Sequence, residues 1–170
     1  MDEIKIPMSR PSIDYETQNS MFDVIKSGWL SQGKKTRKFE NNLSEYLSSK
    51  VVVVNSGTSA LTAALSAHGI KPGDKVVVPS FTFIATSSAA KILGANILVA
   101  DVDAETLNIS PYSIEKIVEE HNDVKAVIIV DIAGQPVDLE PIIELSKRYN
   151  FILIEDAAQA IGSEYKNKKI

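Results

Sequence analysis

The stretch VVVVNSGTSALTAAL, residues 51–65, passes from four consecutive valines through small polar residues into a helical pattern. A β-branched run without polar alternation suits a strand covered on both faces, as in a parallel sheet. NSGTS then supplies the turn residues that hand such a strand over to a helix. The same succession returns down the chain, and it decides the fold class.

The candidate strands are VVVV (51–54), KVVVP (75–79), NILVA (96–100), AVIIV (126–130) and FILIE (151–155). Between them TSALTAALSAHG, TFIATSSAAKILG, SPYSIEKIVEEH and DLEPIIELSKRY read as helices, and Ser110 followed by Pro111 is a good helix start. A βαβ series of this kind predicts an α/β chain, a three-layer αβα domain on a mostly parallel sheet. Residues 1–50 read differently. YETQNSMFDVIKSG and KFENNLSEYLSS have helical spacing, with WLSQGKKT as the loop between them. The expected organisation is therefore an N-terminal helical segment, 1–50, followed by the α/β part, 51–170. Trp29 in the loop reads as a packing or interface residue.

Composition narrows the function classes. The chain has 170 residues, 44% of them hydrophobic, and a formal charge of -4, which fits one sizeable core. With no cysteine, and with His68 and His121 far apart in sequence, a disulfide framework and a zinc site are not expected, and no metal ligand is assigned. The N-terminus lacks a basic-then-apolar signal stretch, and no apolar run approaches the roughly 20 residues of a membrane span. The expectation is a cytoplasmic protein without membrane or nucleic-acid partners. The local basic run GKKTRK (33–38) fits a solvated surface or one visited by an anion.

Three stretches bear chemistry, each with a plainer alternative. At 55–59, Gly57 permits close backbone approach, Thr58 and Ser59 offer hydroxyls, and the following helix presents unpaired N–H groups to an anion. Small hydroxylated residues also cap helices where no ligand binds. In FILIEDAAQAIG, Glu155 and Asp156 follow an apolar run, and Gln159 lies three residues beyond Asp156. A carboxylate at a strand end is costly to bury alone, and a protonated ring nitrogen would offset that cost. A helix N-cap aspartate is the alternative. In PSFTFIAT (79–86) two phenylalanines flank Thr82, so that one can enter the core while the other covers a planar ligand, or both can be core. All three stretches fall at the carboxyl ends of expected strands, where open parallel sheets bind ligands. Jointly they favour a ligand with a phosphate and a flat, protonated ring.

The order and spacing of MSRPSI, SGWLSQGKKTRKFE, NSGTSAL, GDKVVVPSFTFIATSSAAKILGANILVADVDAETLNI, AGQPVDL and ILIEDAAQAIGSEYKNKKI resemble one family over nearly the whole chain. It is the DegT/DnrJ/EryC1/StrS group of nucleotide-sugar aminotransferases, pyridoxal 5'-phosphate (PLP) enzymes of the aspartate-aminotransferase fold type. The resemblance is to the N-terminal part of the PLP-transferase large domain. It implies that Gly57 and Thr58 hold the PLP phosphate with Ser59 beside them, and that Phe83 stacks on the pyridine ring. Asp156 would pair with the ring nitrogen and Gln159 would lie near the ring hydroxyl. The implied reaction moves an amino group from an amino-acid donor, commonly glutamate, to a keto group of a nucleotide-linked sugar, in a homodimer.

The resemblance also carries departures. Many relatives have histidine and an aromatic where this chain has Asp131 and Ala133. The family's Schiff-base lysine is expected beyond Ile170, since Lys166, Lys168 and Lys169 follow EDAAQ too closely. No catalytic residue is therefore assigned within the chain, and the expectation is an incomplete large domain without the small C-terminal domain, inactive alone. Its sheet edge would lack neighbours and invite aggregation. Dehydratases and regulatory proteins share the fold. A PLP-dependent sugar dehydratase and a non-catalytic interaction protein are thus alternatives within the family. Outside it, the alternative is an α/β enzyme that takes a phosphorylated ligand without PLP.

Overall fold

The computed structural model describes residues 10–170. The MSRPSI stretch begins at Met8 and Ser9, which lie outside the described residues. The chain divides into two compact units, Met1–Val51 and Val52–Ile170.

The first unit holds α1 (Tyr15–Ser27) and α2 (Lys34–Leu47). Asp14 caps α1 by accepting the Thr17 N–H at 2.8 Å, and Gly28 ends it with φ 68°. α2 starts earlier than its periodicity predicts, because Gly33 in an extended conformation serves as its N-cap and draws Lys34, Lys35 and Thr36 into the first turn. Trp29 closes over that glycine: its indole N–H donates to the Gln32 carbonyl at 3.1 Å, and a Cβ on Gly33 would fall 2.5 Å from Trp29 Nε1. No residue of α1 or α2 is buried, and Met21, Phe22, Ile25 and Phe39 are exposed.

The second unit runs α3 (Gly57–Ala67), β1 (Lys75–Pro79), α4 (Ala85–Ile92), β2 (Asn96–Ala100), α5 (Pro111–Glu120), β3 (Val124–Val130), α6 (Leu139–Tyr149) and β4 (Ile152–Asp156). The four strands form one wholly parallel sheet in the order β2-β1-β3-β4. Strand side chains alternate between the two faces, so each strand feeds two cores. Val77, Val127 and Ile129 pack with Ile114 and Val118 of α5 and Ile142 and Leu145 of α6. Val76, Val78, Ala126, Ile128 and Ile154 pack with Leu61 and Leu65 of α3 and Ala89 and Ala90 of α4. The result is the αβα sandwich. Among the described residues no helix is long and apolar enough to cross a membrane.

Two elements differ from the sequence reading. VVVV at 51–54 forms no strand, with Val52 and Val54 exposed. β1 already has β2 and β3 on its two sides, β3 has β1 and β4, and neither outer strand takes up the segment. The second difference is a short hairpin, β5 (Glu164–Tyr165) with β6 (Lys168–Lys169), turned by Lys166 and Asn167 at φ 50° and 65°. Two consecutive left-handed residues match the twist of a hairpin. Tyr165 donates to Asp138 at 2.6 Å and Lys166 pairs with Glu140 at 2.5 Å, which ties the hairpin to the start of α6.

Ile128 is fully buried at the centre of the sheet, so Ile128→Ala should lower unfolding free energy by about 2–5 kcal/mol. Ser110 accepts the Ser113 N–H at the start of α5, and Ser110→Ala should lower it by about 1 kcal/mol. Urea titration at fixed pH checks both, and the order of the two effects is the informative result.

Candidate functional site

Chain connectivity puts the candidate residues at one edge of the sheet. The C-terminus of α3 leads through a short loop into the start of β1, so its N-terminus faces the carboxyl edge. Phe83 follows β1, Asp131 follows β3, and Asp156 ends β4. The chain leaves β1 for β2 on one side and places β3 on the other, so the strand order reverses between β1 and β3. There the strands also part. β1 stays paired with β2 through Pro79 but with β3 only through Val77. Pro79 has no N–H to offer, and the Ser80 N–H goes to the Ala100 carbonyl at 2.8 Å, towards β2.

At the α3 end, Ser56 is the N-cap, a role the sequence reading did not single out. Its hydroxyl accepts the Ser59 N–H at 3.1 Å and donates to the Ser59 hydroxyl at 3.0 Å. Ser59 is thus engaged within the cap, while the N–H groups of Gly57 and Thr58 have no partner among the described residues. A Cβ on Gly57 would meet nothing within 4 Å, so the space before these donors is open. Two free N–H groups, a hydroxyl and the positive end of an 11-residue helix fit a phosphate.

Neither phenylalanine of PSFTFIAT enters the core, contrary to the division expected of them: Phe81 is 50% and Phe83 70% exposed. The inward position goes to Thr86, fully buried, whose hydroxyl meets that of Thr82 at 2.8 Å. Both rings stay outside, and an uncovered ring such as that of Phe83 suits stacking on a flat ligand.

Asp156 caps no helix. Its carboxylate accepts the Ala158 N–H at 3.2 Å across a turn and remains partly exposed, able to receive a ring N–H. β1 and β4 are two strand spacings apart, about 10 Å. Gln159 is exposed, and its Oε1 accepts the Ala133 N–H at 2.7 Å. The Asp131 N–H donates to the Asp156 carbonyl at 3.2 Å, which holds the ends of β3 and β4 together.

Behind this edge lie buried polar groups that the sequence reading missed or left without a role. Asn108, 4% exposed, donates to the Gln135 and Pro136 carbonyls and accepts the Ile132 N–H, pinning the loop after β3. Its only signal is an asparagine in a loop, which has many explanations. Asp131 is fully buried; one oxygen accepts the Val137 N–H at 2.9 Å and the other has no hydrogen-bond partner among the described residues. Burial pushes its carboxyl above the ordinary range, the Val137 bond acts in the opposite sense, and the charge of Asp156 adds to the rise. Glu155 beside them is exposed at its outer side, and its carboxyl is nonetheless raised to about 7, first by desolvation and then by the charge of Asp131. Among the described residues no cluster of three or more His, Asp or Glu side chains is placed to hold a metal.

A family model described as the DegT/DnrJ/EryC1/StrS aminotransferase family matches residues 11–170. GDP-perosamine synthase of Caulobacter vibrioides is 35% identical over 97% of this chain and 44% of that protein. The solved aminotransferase of Psychrobacter cryohalolentis superposes with a TM-score of 0.90 at 34% identity, over 96% of this chain and 42% of that one. The PLP form of Spr1654, a sugar-aminotransferase candidate of Streptococcus pneumoniae, gives 0.89 at 30% identity, over 96% and 45%. The chain spans less than half the length of the curated relatives it matches.

The raised carboxyls set a pH dependence. Between the ordinary value of 4.5 and about 7 the folded chain keeps a proton on Glu155 that the unfolded chain has released. Stability therefore falls as pH rises through that window. Glu155→Gln should flatten the fall, with a gain at pH 7.5 of about 1 kcal/mol once the side chain's solvent contact is allowed for. Urea midpoints at pH 5 and 7.5 give the comparison, and an unchanged slope in the variant counts against the assignment.

Proposed function

The chain belongs to the DegT/DnrJ/EryC1/StrS aminotransferase family, and from that premise we propose that the whole protein uses PLP to transfer an amino group from an amino acid, glutamate by preference, to a keto group of a nucleotide-linked sugar. The observation that carries the proposal is the family match over residues 11–170. The donors, the ring face and the carboxylate at the carboxyl edge of the sheet support it.

In this reading the free N–H groups of Gly57 and Thr58, with the Thr58 hydroxyl, bind the cofactor phosphate. Ser59 completes the cup indirectly, by holding Ser56 in the cap. Phe83 covers one face of the ring and excludes water from it. The carboxylate of Asp156 accepts the ring N–H and keeps the proton on that nitrogen, a charge-assisted bond at the edge of a low-dielectric core. Bound there, the protonated ring acts as an electron sink for charge developed at the donor's α-carbon. Gln159 faces the ring oxygen. We include a second copy of the chain as partner, which the uncovered apolar residues of α1 and α2 favour.

Two substitutions separate binding from chemistry in the full-length protein. Thr58→Ala should weaken PLP binding about tenfold, the loss expected for one hydrogen bond to a charged group, with little change in kcat. Asp156→Asn should retain phosphate-end binding and lower kcat at least about a hundredfold, because the ring proton loses its counter-charge. Titrating the cofactor absorbance and following amino-sugar formation distinguishes the two, and near-normal amination by Asp156→Asn would sink the proposal.

A further inference from the structure

We infer that Asp131 is a positioning residue that acts through Asp156: its buried carboxyl keeps its proton while Asp156 stands as a bare anion, and releases that proton when a cationic ring docks against Asp156. The inference rests on the cofactor reading above, which supplies the cation. Two carboxyls meet at one joint of the sheet. Val130 and Asp156 are register partners at the ends of β3 and β4, and the Asp131 N–H donates to the Asp156 carbonyl at 3.2 Å. The backbone fixes the pair.

Their surroundings differ. Asp156 is two residues beyond Ile154, which packs towards α3 and α4, and its partly exposed carboxylate accepts the Ala158 N–H. Asp131 is fully buried, and one of its oxygens accepts the N–H of Val137, a residue of the core that includes Ile114 of α5 and Ile142 of α6. Its other oxygen has no hydrogen-bond partner among the described residues. An anion in that place is far costlier than a neutral hydroxyl.

Charge decides when the proton leaves. The charge that faces Asp131 is that of Asp156 on β4, and Glu155 on the same strand is raised in its turn by Asp131. On the α6 side, Asp138 is bonded to the Tyr165 hydroxyl, and Asn108, which holds the loop between them, is neutral. Burial first holds the proton on Asp131, the Val137 bond opposes it, and the charge of Asp156 adds to it. A protonated ring nitrogen against Asp156 cancels that last contribution. The coupling is reciprocal, so the ionised Asp131 returns the effect as a stronger hold on the ring proton. Glu155, facing a new negative charge, keeps its own proton. One O–H bond of Asp131 breaks and its proton goes to solvent.

Calorimetric titration of the full-length protein, stripped of cofactor, with pyridoxamine 5'-phosphate in buffers of different ionisation enthalpy counts the protons released on binding, from about pH 4 to pH 8. At its maximum the wild type should release at least about 0.3 proton per site more than Asp131→Asn, the size expected when a carboxyl loses one neighbouring like charge. Asparagine keeps the acceptor for Val137 and has no proton to give, so a merely structural role leaves the two counts equal. The analogue with carbon in place of the ring nitrogen keeps the phosphate and ring oxygen but carries no ring cation, and with it the two proteins should release equally. Equal counts with pyridoxamine 5'-phosphate, or an excess that persists with the carbon analogue, overturn the inference and leave the cofactor reading standing. Failure of the wild type to bind pyridoxamine 5'-phosphate overturns the cofactor reading, and this inference with it. Should Asp131→Asn not fold, infrared difference spectra of the wild type labelled with 13C-aspartate decide: a protonated aspartic carboxyl should disappear on binding, and its persistence overturns the inference.

Discussion

The structure depends on strands buried on both faces. β1 and β3 can be almost wholly apolar because each sends alternate side chains into two separate helix layers, Val77 and Val127 to one and Val76 and Ala126 to the other. Burial at roughly 25 cal/mol per Å² of apolar surface supplies the driving force, and parallel strands leave no face for water. All polar business is thereby expelled to the strand ends. Parallel direction gathers four carboxyl ends on one edge, together with the N-termini of the helices that run back across the sheet.

At that edge the residues divide by what holds them. Among the described residues, Phe83 and the Gly57–Thr58 donors have no hydrogen-bond partners that compete with a ligand. Asp156 and Gln159 sit in a frame of backbone bonds organised around Asn108 and Asp131, both buried. Burying these polar groups is costly unless they are bonded, and Asn108 achieves it fully by serving three backbone groups of one loop. Asp131 achieves it by half, which is consistent with a carboxyl that retains its proton to higher pH.

Much of this was legible in the sequence because it is local. The apolar runs at 75–79 and 96–100 are strands to the residue, and Ser110-Pro111 opens α5 as capping chemistry demands. What was not legible depends on distant partners. VVVV at 51–54 has strand composition, but composition does not decide membership of a sheet, and the described sheet is made of β2, β1, β3 and β4. PSFTFIAT gave no sign that both rings stay outside, because the buried position is taken by Thr86, hydroxyl to hydroxyl with Thr82. Ala133 and Lys166 occupy left-handed backbone that such residues ordinarily avoid, and only the finished contacts enforce it.

α1 and α2 stand apart from that logic. At 13 and 14 residues, with no side chain buried, each is near the length at which a lone helix is only marginally populated in water. The ellipticity of this part of the chain is consequently a meter of association, rising as a surface comes to lie against Met21, Phe22, Ile25 and Phe39.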